Sequence, residues 1–421
     1  MLIEIHLLQN HAPSNLNRDD TGSPKDCVFG GVKRARISSQ CLKRSIRCGP
    51  FSPFRTEMEE HLSLRTKDLA SKVSESLREL DCTDEEVSTI IAKVPSLFTK
   101  EKAAEAGPSD DSDDAHPKSR ARKGDDDGED NAETAQLVFF HLSEARPLAE
   151  ALLKLYRAPA GQYFKKNKKP IGFAQASGKD IAAAIRDKLK CPSRARSVDI
   201  AMFGRMVTSA AFEDVQASMQ VAHAMSTHRV DTEFDYFTAV DDLSGEAGAG
   251  HIGDVEFNSA CYYKYFSIDL GGLVDNLTAK SAGRKDIPAE EQAEAKAVAI
   301  SAVEAFLKSA VAVTPTGKQN TFAAHQLPAA VLVEARPTCT PVSYANAFVE
   351  PARATSGSDL VSSSLEKLGK HVEALTSGFN LQSTQRLLLA PEHAEFSISG
   401  VERVADLNAL CTRLREVMSG G

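Results

Sequence analysis

"GHIGDVEFNSACYYKYFSIDL" (residues 250–270) is dense in Val, Phe, Tyr and Ile and carries no helix period. Upstream, "HRVDTEFDYFTAVDDL" (228–243) has the same character, and "SGEAGAG" joins the two runs. Two strand-like runs around a glycine-rich connection predict a β-hairpin or long arm. The chain then changes period. "IPAEEQAEAKAVAISAVEAFLKSAVAV" (287–313) reads as a long amphipathic helix, with Pro288 near its first turn and glutamates favouring its N-terminal dipole. At the other end of the chain "LIEIHLL" (2–8) alternates, Ile3, Ile5 and Leu7 on one face against Glu4 and His6, which predicts a half-buried strand. Strands and helices alternate irregularly, and a long helix follows a sheet strand. This favours α+β over a doubly wound parallel sheet, and an RRM-like (ferredoxin-like) core with insertions fits. The RRM aromatic motif is absent and the chain has no Trp, so base stacking on a sheet face is not expected.

Between these landmarks, residues 10–31 are rich in Gly, Pro, Asn and Asp and predict irregular backbone. A short strand, "KRARI", follows, and Ser38 or Ser39 is placed to cap a helix that "CGP" (48–50) ends. Helical patterning covers 57–99 and "AQLVFFHLSEARPLAEALLKLYR" (135–157), and the basic "FKKNKKP" (164–170) precedes another helix near 179–190. The remainder predicts a loop at "TPTGKQNTFAAH", strands near 329–336, a Ser-rich link at 355–364 and a helix over 401–418. No internal repeat is present.

A chain of 421 residues with 42% hydrophobic and 26% charged residues is ordinary globular material for two or three structural units. It has no run of eighteen apolar residues, and "LIEIHLL" lacks the basic flank of a signal peptide, so a cytoplasmic protein off the membrane is expected. The cysteines (27, 41, 48, 82, 191, 261, 339, 411) form no C-x-x-C pair and read as free thiols. His6 with His11 and His223 with His228 lack H-E-x-x-H spacing, so neither a metal nor any other cofactor is expected.

The net charge of −8 is unevenly spread. Residues 101–133 hold twelve acidic and five basic residues, a net −7, in a segment low in apolar content that predicts a disordered loop. Residues 25–47 hold seven basic residues and one acidic, a net +6. Phosphate binding follows local positive charge, not the total.

That charge has a shape. In the helix starting at Ser39, Gln40, Lys43, Arg44 and Arg47 fall on one face, with Leu42 and Ile46 adjoining to pack down. Free N–H groups at the helix start add attraction for phosphate, and Ser38 or Ser39 can cap or donate. Arg18, Lys25 and "KRAR" flank the same helix, and "FGG" (29–31) gives backbone that a polynucleotide can approach. This suits sequence-independent backbone binding, although a solvated basic helix face has the same pattern. "FKKNKKP" either extends the track or is a solvated turn.

Catalysis finds little support. "TPTGKQN" resembles a phosphate loop only superficially, because Ala312 takes the first Walker glycine position and Gln319 follows the lysine. "VDD" (240–242) offers carboxylates in what reads as a solvated turn. His223 and His228 are the candidates for acid–base RNA cleavage, without a partner evident in sequence.

"IHLLQNHAPSNLNRDDTGSPKDCVFGGVKRARISSQCLKRSIR" (5–47) closely resembles the CasC family, the backbone subunit of the type I-E CRISPR surveillance complex Cascade. "DIAMFGRM" (199–206), "VAHAMSTHRVDTEFDYFTAVDDL" (221–243), "GAGHIGDVEFNSACYYKY" (248–265) and "TPTGKQNTFAAH" (314–325) continue the resemblance in collinear order. It implies a hand: an RRM-like palm in 1–56, 199–227 and 259–421, inserted helical fingers in 57–198, and an extended hairpin thumb in 228–258. It implies that about six copies form a helical filament along the CRISPR RNA (crRNA) spacer. Each copy grips the backbone without sequence preference, and each thumb crosses a neighbour's RNA and flips out a nucleotide at regular intervals. Target DNA pairs between the kinks. Further implied partners are the other Cascade subunits and a recruited helicase-nuclease, which does the cutting; the subunit itself is not an enzyme. Arg18, Lys25, Ser38, Gln40, Lys43 and Arg47 match positions that contact guide-RNA phosphates and sugars. Met206 matches an apolar wedge beside the kink, against the ordinary expectation of a buried core methionine. The acidic segment 101–133 departs from the family pattern and leaves the finger surface open. The main alternative is a CRISPR RNA-processing endonuclease on a ferredoxin-like fold, using His223 or His228.

Overall fold

β1 (Leu2–Ser14) is the strand around which the first unit is built. In the computed structural model, which describes residues 1–98, 137–189, 197–207, 209–240 and 249–420, the chain divides into two compact units. The first comprises Met1–Glu60, Ser218–Val274 and Ala289–Gly421, the second His61–Ala217 and Asp275–Pro288.

The first unit carries a large mixed sheet. After β1 come β2 (Asp26–Phe29), β3 (Val32–Ile37), α1 (Ser39–Cys48), β4 (Met219–Val221) and β5 (Ala224–Ser226). Then follow β6 (Glu233–Val240), β7 (Ala249–Asp269), α2 (Ala289–Ala312) and β8 (Ala330–Arg336). The chain ends with α3 (Leu360–Gly378), β9 (Gln385–Leu389), β10 (Glu402–Arg403) and α4 (Leu407–Gly420). The strand order is β10-β9-β8-β1-β7-β5-β3-β2, with β4 and β6 also paired to β7. All pairs are antiparallel except β9 with β10.

β1 lies between β7 (Leu2↔Asp269 to His11↔Ala260) and β8 (Leu2↔Arg336 to Leu8↔Ala330). It is therefore not half-buried: Ile3, Ile5, Glu4 and His6 are all at most 1% exposed. One face packs Phe266 edge-on to Phe306 of α2. The other joins Leu8, Tyr263, Tyr265 and Leu332 to Leu365 and Leu368 of α3. An alternating pattern does not reveal a polar set that is buried by its own ion pairs. Residues 10–31 are less irregular than their composition suggests: β1 runs on to Ser14, and β2 pairs with β3 from Asp26↔Ala35 to Phe29↔Val32. The Ser-rich link gives way at Leu360 to α3, whose N-cap Asp359 accepts from the N–H groups of Val361 and Ser362. The last helix starts at Leu407, after the short β10.

The arm has two parts. From Asn258 onward β7 pairs with β1 inside the sheet, whereas residues 249–257 pair with β6 as a two-stranded ribbon. Glu233–Thr238 are exposed at every position, including Phe234 and Tyr236.

The second unit is mostly helical. Its helices are Leu69–Arg78, Asp84–Ile91, Ala145–Tyr156, Gly178–Ala183 and Val198–Phe203, around a core that includes Leu77, Ile90, Phe98 and Leu152. The pattern over 57–99 is broken, because Asp81 adopts a left-handed φ of 53° and Thr83 opens a new helix with a Thr83/Glu86 capping box. Val138–Phe140 pairs with Leu64–Thr66 instead of continuing a helix. "FKKNKKP" is a hairpin, Phe164–Lys166 on Lys169–Ile171, turned by Asn167 and Lys168 at positive φ. Residues 199–217 belong to this unit, tied in by Asp199, whose carboxylate accepts from Ser63 N–H and Oγ at 3.0 and 2.7 Å. The acidic segment 101–133, Asp241, Asp242 and Cys191 lie outside the described residues. No helix among the described residues is long and apolar enough to cross a membrane.

Candidate nucleic-acid interface

α1 forms where its caps place it. Ser38 is the N-cap, its Oγ accepting from Cys41 N–H at 3.2 Å, and Gly49 ends the helix by donating to Ser45 O at 2.8 Å. A Cβ at Gly49 would lie 2.4 Å from that carbonyl. Leu42 and Ile46 are buried, Gln40 and Arg44 are exposed, and Lys43 and Arg47 are half-buried. No acidic residue occupies the first turn to compete with an incoming anion.

The preceding loop is locked to this helix by two asparagines. Asn17 Oδ1 accepts from the Ser38 N–H at 2.8 Å, and its carbonyl accepts from Lys25 N–H at 2.8 Å. The Lys25 carbonyl accepts from Arg36 N–H at 2.9 Å. Buried Asn15 donates through Nδ2 to Gly22 O at 3.0 Å and to Glu256 O of β7 at 2.9 Å. The loop carrying Arg18 and Lys25 is thus held between the helix start and the base of the arm. At the β2–β3 turn Gly30 has φ +60°, and a Cβ there would sit 2.0 Å from Val349 O, so only glycine fits. Beneath it Arg34, wholly buried, donates to the carbonyls of Phe29, Ser226, Phe348 and Val349.

Of the residues expected to bind RNA, Arg18, Lys25, Ser38, Gln40, Lys43, Arg44 and Arg47 all fall in this one region of the first unit. Arg18 is exposed, whereas Lys25 is 8% exposed and Ser38 6%, so Ser38 works mainly as the cap. Met206 lies in the second unit and is 89% exposed, which excludes the core-methionine explanation. Arg36, half-buried next to Lys25, was legible only as part of the basic "KRAR" strand, and the two asparagines were not legible as contacts. Their only signal was Asx-turn composition, which does not name a partner.

The two histidines weighed as acid–base groups are engaged. His228 Nδ1 is 2.7 Å from Arg229 O, and its Nε2 accepts from Cys261 N–H at 3.2 Å. Burial lowers its pKa. His223 Nδ1 is 3.0 Å from Arg36 Nη1. Glu4, His6 and Glu334 bring potential metal ligands within 4.8 Å of one another. Both carboxylates are already held, Glu4 by Arg336 and Tyr265, Glu334 by Arg336, Arg386 and Tyr344. Two guanidiniums neutralise two carboxylates, so the cluster is a buried ion-pair network.

Comparison with known proteins follows this geometry. No curated protein matches the chain. A solved structure titled "CRISPR RNA-guided surveillance complex, pre-nicking" contains a chain 25% identical to it, with a TM-score of 0.69, over 99% of this chain and 100% of the other. A second, "CRISPR RNA-guided surveillance complex", is 20% identical at a TM-score of 0.54 over the same shares, a likeness of fold. The chain therefore has the fold of a CRISPR surveillance-complex subunit. The family model of CT1975-like proteins matches residues 3–413, and the chain belongs to this Cas family.

Proposed function

We propose that this chain is a non-catalytic backbone subunit of a type I-E CRISPR surveillance complex. In this reading the sheet unit is an RRM-like palm that grips the crRNA sugar–phosphate backbone without sequence preference. Copies assemble along the spacer and present it to target DNA. The observation that carries the reading is the α1 surface: Gln40, Lys43, Arg44 and Arg47 on one face, with Arg18 on a loop fastened to its N-cap. Flexible cations, an amide and helix-start N–H groups recognise phosphate and sugar oxygens, which every sequence shares. Engagement of both His228 nitrogens by main-chain groups favours a binding role over RNA cleavage. The exposed aromatic residues of the β6–β7 ribbon suit a thumb that crosses a neighbour's RNA, with Met206 as a candidate wedge.

Substituting Lys43→Ala with Arg47→Ala tests the assignment. Removal of two phosphate contacts lowers the slope of log affinity against log salt by roughly 1.5 to 2, equally for unrelated guide sequences. Filter binding at several salt concentrations measures this, and an unchanged slope refutes the site. Incubation of the wild-type chain with repeat RNA is expected to leave the RNA intact.

A further inference from the structure

Charges buried in the first unit are handled in two ways. Across β1, β8 and β9, Glu4 and Glu334 are matched by Arg336 and Arg386. Elsewhere in the sheet, two buried cations have no carboxylate in contact among the described residues. Arg34 spends its guanidinium on four carbonyls. Lys264 of β7, 1% exposed, donates to the Oε1 of Gln9, a neutral side chain whose own amide nitrogen is used on Gln326 O. The titratable groups facing Lys264 are Cys41, in the first turn of α1, and His11 of β1, which in turn faces His325. Burial and the Lys264 charge hold His11 at a pKa of about 4, so it is neutral at pH 7. An ammonium taken out of water next to an amide alone is costly, and such a charge is retained where something else compensates it.

We infer that Lys264 is a buried determinant of RNA affinity: beneath the first turn of α1, its ammonium adds positive potential to the basic face and is compensated by phosphates that it never touches. This rests on the RNA-backbone reading above. Charges embedded in protein are screened far less than exposed ones, and one held roughly 10 Å from a phosphate changes affinity on the order of tenfold. The coupling is reciprocal, so bound phosphate must raise the proton affinity of Lys264. Burial has brought its pKa down to about 8 in the free chain. The sign follows. Below pH 8 the ammonium is present and its full contribution to binding is available. As pH rises through about 8, binding requires proton uptake and affinity falls.

Fluorescence anisotropy of the purified full chain with guide-length RNA, between about pH 7 and pH 9, tests this. Wild type is expected to lose affinity through pH 8. Lys264→Met is expected to bind about tenfold more weakly at pH 7, with a flatter pH profile and the wild-type salt slope, because no phosphate contact is removed. Its RNA-free melting temperature should be unchanged or higher, since an apolar isostere replaces an unpaired charge. Gln9→Glu gives the ammonium an internal anion while giving up the bond to Gln326 O; it is expected to weaken RNA binding and to move the loss of affinity to higher pH, a shift that altered stability alone does not produce, and it carries the test if Lys264→Met fails to fold. Wild-type affinity and pH profile in both variants overturn the inference, as does a loss of stability that accounts for the loss of binding. If wild type binds RNA and the α1 variants weaken it while Lys264→Met does not, only the role of Lys264 falls. If wild type binds no RNA at any salt concentration, the RNA reading falls with it.

Discussion

Glu334 shows how a single side chain can hold the sheet unit together. It is wholly buried, accepts from Arg386 at 2.6 Å, Arg336 at 2.9 Å and Tyr344 at 2.7 Å, and lies 3.5 Å from His6 Nε2. Burial opposes its ionisation, but His6, Arg336 and Tyr344 outweigh burial and depress its pKa below the ordinary value of 4.5. A depressed folded-state pKa gives stability that is fully present above about pH 4.5 and drains away as pH falls below it. Glu334→Gln leaves Arg386 without its carboxylate and Arg336 with Glu4 alone, and breaking a buried pair in this way costs about 3 to 5 kcal/mol. Urea midpoints should therefore drop sharply for the variant at pH 7, and fall less on acidification than those of wild type. Such residues were illegible in the sequence. Lys43 and Arg47 declare themselves by helical spacing, but Glu4 meets Arg336 across 332 positions and Glu334 meets Arg386 across 52, with nothing local to name either partner. The one local hint, a lysine inside "YYKYF", marks a buried charge without naming what surrounds it.

At the scale of elements, α1 was legible because its signals are local: a serine cap, a 3.6-residue pattern and a glycine stop. β1 was legible as a strand but not as a central one, since only the register with β7 and β8 reveals that both faces are covered. The helical reading of 57–99 failed where a positive φ and a new cap split the segment. The mutual placement of α1 and its loop depends on Asn17, which sequence offered only as turn composition. Asn17→Ala leaves the Ser38 N–H without its acceptor and should lower stability by about 1 to 3 kcal/mol. The loop bearing Arg18 and Lys25 is then no longer fixed to the cap, so RNA affinity should drop severalfold beyond the loss attributable to unfolding. Melting curves and anisotropy on the same preparation separate the two effects. Ser38→Ala, which removes the cap but keeps the Asn17 link, should cost only about 1 kcal/mol.

For the whole molecule, the ribbon poses a question that the chain alone does not answer. A two-stranded hairpin is at best marginally stable by itself, yet among the described residues β6 pairs only with β7 and exposes Glu233 to Thr238 throughout, three large aromatics among them. Exposed Phe and Tyr on such an element fit a surface that is covered in an assembly. At roughly 3.3 Å per residue, eight residues of β6 span about 26 Å, enough to cross a nucleic-acid strand held by another copy. Its base is tied by Asn15 to the loop that carries Arg18, so the arm and the basic face are two outputs of one scaffold. Replacing residues 235–255 by a short Gly-Ser turn keeps Glu256 for Asn15 and should spare the sheet, because β7 meets β1 from Asn258 onward. The shortened chain should melt close to wild type and bind an RNA too short for two copies with near wild-type affinity. On a spacer-length RNA it should lose the cooperative, fixed-stoichiometry assembly expected of a backbone subunit, giving a spread of masses in native mass spectrometry where wild type gives one. A single sharp mass from the truncated chain would separate the ribbon from assembly and leave its exposed aromatics without a role in it.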